Sequence, residues 1–199
     1  MGPYTVDDVS ERIEAALADL GLRDAAAVGY STGAYRALLL AVRRRLNWKA
    51  VVSLGGFASL DPGWRDAYLS LANAVRGGAD LREALVELVL PPDRASRNPD
   101  VVREVQAWLG CIAADALALE LESFARAPDL LEALGSLQVP VLARVGELDQ
   151  AQPPVKSQAI VSSVPRGELQ IVPGVAHDLL FGDMPGTADA ILAFFARCA

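Results

Sequence analysis

A serine between two glycines, the only histidine of the chain and an aspartate ahead of it could do covalent chemistry together. The serine is Ser31, in Gly29-Tyr30-Ser31-Thr32-Gly33. The acid is Asp149, in Gly146-Glu147-Leu148-Asp149, and the histidine is His177, in Pro173-Gly174-Val175-Ala176-His177. A serine hydroxyl is a poor nucleophile until a neighbouring base takes its proton. An imidazole does this best when a carboxylate holds its other ring nitrogen. The chain order Ser, Asp, His is the one expected when the serine occupies a G-x-S-x-G turn between a strand and a helix. Such a turn lifts the hydroxyl out at the end of a sheet and strains the serine backbone. Side chains two positions before and two after would run into neighbouring backbone, so glycine is expected at both Gly29 and Gly33 for steric reasons. The helix that follows, with the Thr32 N–H at its start, offers a donor to an oxyanion developing on a carbonyl. Glu147 competes with Asp149 for the acid's place; Asp149 fits G-x-x-D and is preferred.

These residues need strands and helices to carry them, and the hydrophobic pattern supplies both. Residues 5–20 read as an amphipathic helix: Thr5 caps it, Asp7 and Asp8 fill its first turn, and Val9, Ile13, Ala16 and Leu20 recur at helical spacing. Gly21 ends it. A short apolar run at 25–29 precedes the serine turn, and a helix at 34–45 follows it. Short continuous apolar runs flanked by helices are how buried parallel strands look, and the pattern returns at 50–54, 139–145 and 168–172. A last helix covers 187–197. Residues 57–134 contain no good strand and several helical stretches, broken at Gly77-Gly78, Pro91-Pro92, Asn98-Pro99 and Pro128. The expectation is a parallel α/β sheet of about four strands with right-handed crossovers, and a helical insertion over one end of it. Ser31, Asp149 and His177 then all follow carboxyl ends of strands, where open α/β sheets place their sites.

The stretches "AAAVGYSTGAYRALLLA", "VPVLARVGELDQAQPP" and "ELQIVPGVAHDLLF" resemble the nucleophile elbow, acid loop and histidine loop of the α/β-hydrolases. The likeness covers the C-terminal two-thirds of that family's pattern, from the helix before the nucleophile strand to the final helix. Within it, "GWRDAYLSLANAVRGGADLREALVELVLPP" and "NPDVVREVQAWL" are similar to the cap of 3-oxoadipate enol-lactonase-like esterases, on less specific motifs. The resemblance implies Ser31 as nucleophile, His177 as general base and then acid, and Asp149 as the group that orients it. Ala34 stands where the family has a further glycine, and Val175-Ala176 replaces a more Gly-rich lead into the histidine. The family also begins with four more strands and a Gly-rich oxyanion loop, which have no counterpart here. Gly55-Gly56 follows the strand after the elbow and does not substitute for that loop. The second oxyanion donor therefore lacks a visible source, a loss worth ~10²–10³ in rate. The strand at 25–29 is also left with a bare apolar edge, which a homo-oligomer is expected to cover.

Composition bounds the rest. The chain has 199 residues, 52% hydrophobic and 22% charged, enough for one domain with a real core and too apolar for a disordered chain. The division expected is a hydrolase-like core over 1–56 and 135–199 with a helical cap over 57–134. A net charge of −7 argues against nucleic acid or an anionic membrane as partner. Cys111 and Cys198 are too few for a disulfide framework and read as free thiols in a reducing cytoplasm. The opening Met1 to Val6 lacks the pattern of a signal peptide, and the longest apolar stretch, 37–42, is far too short to span a bilayer. Arg43-Arg44-Arg45 reads as cations at a helix C-terminus. Trp48, Trp64, Tyr68 and Trp108 read as packing rather than a substrate cage, and Cys111 as packing inside the insertion. One histidine and two scattered cysteines make no zinc site, no phosphate-binding glycine motif is present, and no cofactor is implied. The function expected is hydrolysis of a small, apolar carboxylic ester or lactone through an acyl-enzyme. The alternative is a hydrolase-like domain with a vestigial triad that serves as a binding or assembly module.

Overall fold

The computed structural model describes residues 4–198. Met1 to Pro3, on which the reading of the N-terminus partly rests, and Ala199 lie outside the described residues.

Helix α1 (Val6–Asp19) starts at a full capping box: Thr5 Oγ1 accepts from the Asp8 N–H, and Asp8 reaches back to the Thr5 N–H. Gly21, at φ +70°, follows its end. The face it buries is only partly the one expected, with Ile13 common to both. Val6 and Ser10 are buried, with Ile13 and Leu17 packed on the core, while Ala16 and Leu20 face outward. Ser10 donates to the Val6 carbonyl at 2.8 Å, so its hydroxyl is satisfied within the helix and a polar residue can sit inside.

Strand β1 (Asp24–Tyr30) leads through the serine turn into α2 (Thr32–Arg43), and β2 (Asn47–Leu54) follows. Six helices come next: α3 (Pro62–Arg76), α4 (Arg82–Val89), α5 (Pro92–Ala95), α6 (Pro99–Gly110), α7 (Ala114–Ala125) and α8 (Leu131–Leu134). The chain then returns to the sheet with β3 (Val141–Gly146), α9 (Pro154–Ser163), β4 (Gly167–Val172) and α10 (Met184–Cys198). The four strands form one parallel sheet in the order β1-β2-β3-β4.

The register decides where the site forms. Tyr30 pairs with Leu54, Leu54 with Arg144, and Gly146 with Val172, so the carboxyl ends of all four strands meet along one edge of the sheet. Alternation along β2 splits the core in two. Val51 faces α2 and α9 with Leu38, Val141 and Ile160, and Ala50, Val52 and Leu54 face α10 with Leu142 and Phe194. Buried Tyr35, Phe57 and Phe124 stack edge-on or tilted and join α2 to the helical segment, and Tyr35 donates to the Pro128 carbonyl at 2.7 Å. Trp48 is core as expected, its indole N–H on the Leu40 carbonyl at 3.0 Å. Cys111 is not packed inside the helical segment; it is exposed. Arg43 does more than complement a helix dipole, since its guanidinium ties α2 to Asp7, Glu11 and Glu14 of α1. Among the described residues, no helix is long and apolar enough to cross a membrane.

Candidate active site

The turn between β1 and α2 is held by opposing constraints. Ser31 lies at φ +54°, ψ −120°, a region that costs a non-glycine residue about 1–3 kcal/mol. Its N–H donates to the Leu54 carbonyl at 2.9 Å, which pins the turn to the end of β2. At Gly29 a Cβ would collide with the Gly33 carbonyl and lie 2.6 Å from Ala34 Cα, so glycine is obligatory there. Gly33 does not share that reason. A Cβ there meets nothing, and it is the Gly33 backbone that crowds Gly29. The Ala34 N–H is taken by the Ser31 carbonyl at 3.0 Å, which leaves the N–H groups of Thr32 and Gly33 at the start of α2.

The acid loop after β3 buries Asp149 and uses both of its oxygens. Oδ1 accepts from the Gln152 N–H at 2.7 Å, and Oδ2 meets His177 Nδ1 at 2.7 Å. A carboxylate only accepts, so Nδ1 carries the proton and Nε2 keeps its lone pair for use as a base. Glu147 is exposed and spent elsewhere: its Oε2 takes the Gly174 N–H at 2.9 Å. It braces the histidine loop and makes no bond to the imidazole.

Several further groups fix that loop. The Leu148 N–H donates to the Val175 carbonyl at 2.8 Å, and Tyr30 donates its hydroxyl to the His177 carbonyl while its ring lies 4.9 Å from the imidazole. Burial, with the charges of Asp149 and Asp178 adding to it, pushes the Tyr30 phenol well above its ordinary range, so it stays a neutral donor. Arg94, reaching from α5, donates to the Gly174 carbonyl and pairs at 2.5 Å with Asp178, whose side chain is wholly buried. The other Asp178 oxygen accepts from the Ala176 N–H at 2.9 Å. Gly55, at φ +51°, lies directly beneath the His–Asp pair: a Cβ there would stand 3.0 Å from His177 Nδ1 and 3.2 Å from Asp149 Oδ2. Gly55, Arg94 and Asp178 are site residues that the sequence reading missed. The Gly-Gly step straight after a strand was the available signal for the first. For the other two, which meet across 84 residues of chain, no local signal exists.

Ser31, Thr32 and His177 line one cavity of about 440 Å³, with Asp149 behind the histidine. The helical segment roofs it mainly with apolar side chains, and Trp64, Tyr68 and Trp108 are among them. These three line the cavity and are not merely packing. Glu120 of α7 also reaches the wall, where Arg36 holds it with two bonds of 2.7 and 2.6 Å and Tyr4 donates to it at 3.0 Å. A mostly apolar cavity with a hydroxyl, an oriented imidazole and backbone donors at a helix start can carry acyl transfer.

A parallel sheet with its loops gathered at the carboxyl ends, an elbow serine on a strained turn and a helical segment over the top define an α/β-hydrolase. Residues 4–183 match the family model described as serine aminopeptidase, S33, and the chain belongs to that family. No curated protein matches it. Among solved structures, a thermophilic esterase from Thermogutta terrifontis superposes with a TM-score of 0.89 at 20% identity, over 99% of this chain and 74% of that one. The enol-lactonase from Burkholderia xenovorans gives 0.88 at 19% identity, over 98% and 74%. A hydrolase from Pseudomonas aeruginosa gives 0.87 at 23% identity, over 98% and 73%. The fold is shared with all three.

Proposed function

We propose that this hydrolase cleaves a small, largely apolar carboxylic ester or lactone through an acyl-enzyme on Ser31. The observation that carries the reading is the 2.7 Å bond between His177 Nδ1 and buried Asp149, made behind a cavity that Ser31 also lines. Ser31 Oγ attacks the carbonyl carbon as His177 Nε2 takes its proton, and the carbonyl π pair moves onto oxygen, where the Thr32 N–H stabilises it. The tetrahedral intermediate collapses, the C–O bond to the alcohol breaks, and His177 returns the proton to the leaving oxygen. Water then repeats the attack on the acyl-serine and releases the acid, with Asp149 holding the imidazole through both halves.

The cavity's polarity supports an ester over a peptide with a free amino terminus. An ammonium group needs an unspent carboxylate, and Glu120, the one carboxylate on the wall among the described residues, is already paired with Arg36. An esterase and an enol-lactonase are among the proteins that share the fold, and both kinds of bond suit a mostly apolar cavity. Ser31→Ala is the test: it should keep the fold and reduce ester turnover by ~10³ or more. Undiminished hydrolysis by that variant would move the nucleophile elsewhere. The division into a core and a cap over 57–134 belongs to this reading, the cap serving as the part that selects the substrate.

We also propose that β1 pairs with β1 of a second copy. It is an outer strand of the described sheet, small and apolar over Ala25 to Val28, with Ala26 and Val28 exposed. Two such edges are self-complementary about a two-fold axis.

A further inference from the structure

We infer that Tyr68 is a specificity-determining residue, whose hydroxyl is held as a hydrogen-bond donor for an oxygen of the substrate other than the reacting carbonyl. The inference rests on the hydrolase reading of Ser31 and adds the kind of substrate to it.

The direction of a hydrogen-bond relay fixes the donor. Lys156 Nζ lies 3.1 Å from the Gln152 side chain and over the Trp64 ring at 3.9 Å. An ammonium group has only protons to give, so the amide atom facing it is Oε1. The Gln152 NH₂ group is thereby turned toward the Tyr68 hydroxyl at 3.2 Å, where it donates and the phenol oxygen accepts. The phenol hydrogen is left over, and among the described residues nothing accepts it. Gln152 is almost fully buried, at 2% exposed, and both it and Tyr68 line the cavity.

The other phenols on the wall are spent. Tyr4 donates to Glu120 and Tyr30 to the His177 carbonyl. A buried donor without a partner is costly, and a site built around one rejects ligands that leave it unpaired. Burial holds the Tyr68 phenol up at about 12, so it keeps its proton across the neutral range. The Gln152 backbone N–H binds Asp149, so the relay is rooted in the acid loop and not in the elbow that carries the Thr32 N–H. Tyr68 belongs to the insertion and Thr32 to the elbow, both on the same cavity, and a second acceptor on the substrate is separated from the reacting carbonyl by the probe set below. The substrate class is an ester or lactone that is apolar over most of its length and carries one further acceptor, such as a keto or ether oxygen.

Ethyl pentanoate, ethyl 3-oxopentanoate and ethyl 4-oxopentanoate form a probe set in which a carbonyl replaces a methylene. The wild type should prefer at least one oxo ester to the plain ester in kcat/KM. Tyr68→Phe should lower that ratio about 3–10-fold, mainly through KM. Lys156→Met, which frees the Gln152 amide to turn, should lower it in the same direction by a smaller factor. An unchanged ratio in Tyr68→Phe, or a wild type indifferent to the oxo group, overturns the assignment. An equal fall on all three esters also overturns it, because it would mean that Tyr68 serves the reacting carbonyl. Fluorophosphonate labelling of Ser31 in the same preparations separates the failures. A labelled enzyme with an unmoved ratio sinks the Tyr68 inference alone, and a folded wild type that takes no label sinks the hydrolase reading with it.

Discussion

Ser31 is the residue at which stability is given up for geometry. Its φ of +54° suits glycine, so Ser31→Gly should raise stability by up to about 1 kcal/mol while abolishing the proposed turnover. Urea unfolding and ester hydrolysis on one preparation would check both halves. The two elbow glycines should separate just as clearly. Gly29→Ala forces a Cβ into Gly33 and Ala34 and should cost about 3 kcal/mol or more. Gly33→Ala has open space and an ordinary helical position, so it should be neutral or stabilising by about 0.4–1 kcal/mol. Comparable losses in both variants would mean that the elbow is packed differently. A symmetric motif thus hides an asymmetric cause, which only the path of α2 past β1 reveals.

Among the elements, the insertion helices and the loops beside them tune the site from outside the motif. Arg94 of α5 is the only cation on the wholly buried Asp178 among the described residues. Arg94→Ala should therefore cost about 3–5 kcal/mol and loosen the histidine loop, lowering kcat more than it raises KM. Chemical denaturation and steady-state kinetics at a temperature where the variant stays folded would show it. Lys156 gives α9 a pH signature. Burial lowers its ammonium from 10.5 to about 8, against the pull of Asp61 and Asp149. Between about pH 8 and 10 the unfolded chain holds the proton that the folded one has released, so this group's contribution to stability rises with pH. A Tm that climbs across this window in the wild type and stays flatter in Lys156→Met is the expected pattern. The elements themselves were largely legible, since four apolar runs and the helices between them follow from periodicity alone. The inward face of α1 was legible only in part, at Ile13, because Ser10 is polar by type yet sits inside with its hydroxyl satisfied on the Val6 carbonyl.

At the scale of the whole molecule, the parallel register brings the distant loops together. Strand ends at Tyr30, Leu54, Gly146 and Val172 align, so Ser31, Asp149 and His177 could be assigned to one end of the sheet before any contact was known. What could not be read was the bracing that passes between the insertion and those loops, through Arg94 to Asp178 and Tyr68 to Gln152. Each pair meets across 84 residues with no motif to mark it. The open β1 edge predicts a dimer in light scattering at tens of micromolar, weakened by Val28→Lys; a clean monomer would remove the β1 pairing. Whether Ser31 is an activated nucleophile is read by intact mass after fluorophosphonate treatment of wild type and Ser31→Ala. One adduct is expected on the wild type and none on the variant. A folded wild type that takes up no adduct would contradict that role and leave a hydrolase-like binding module in its place.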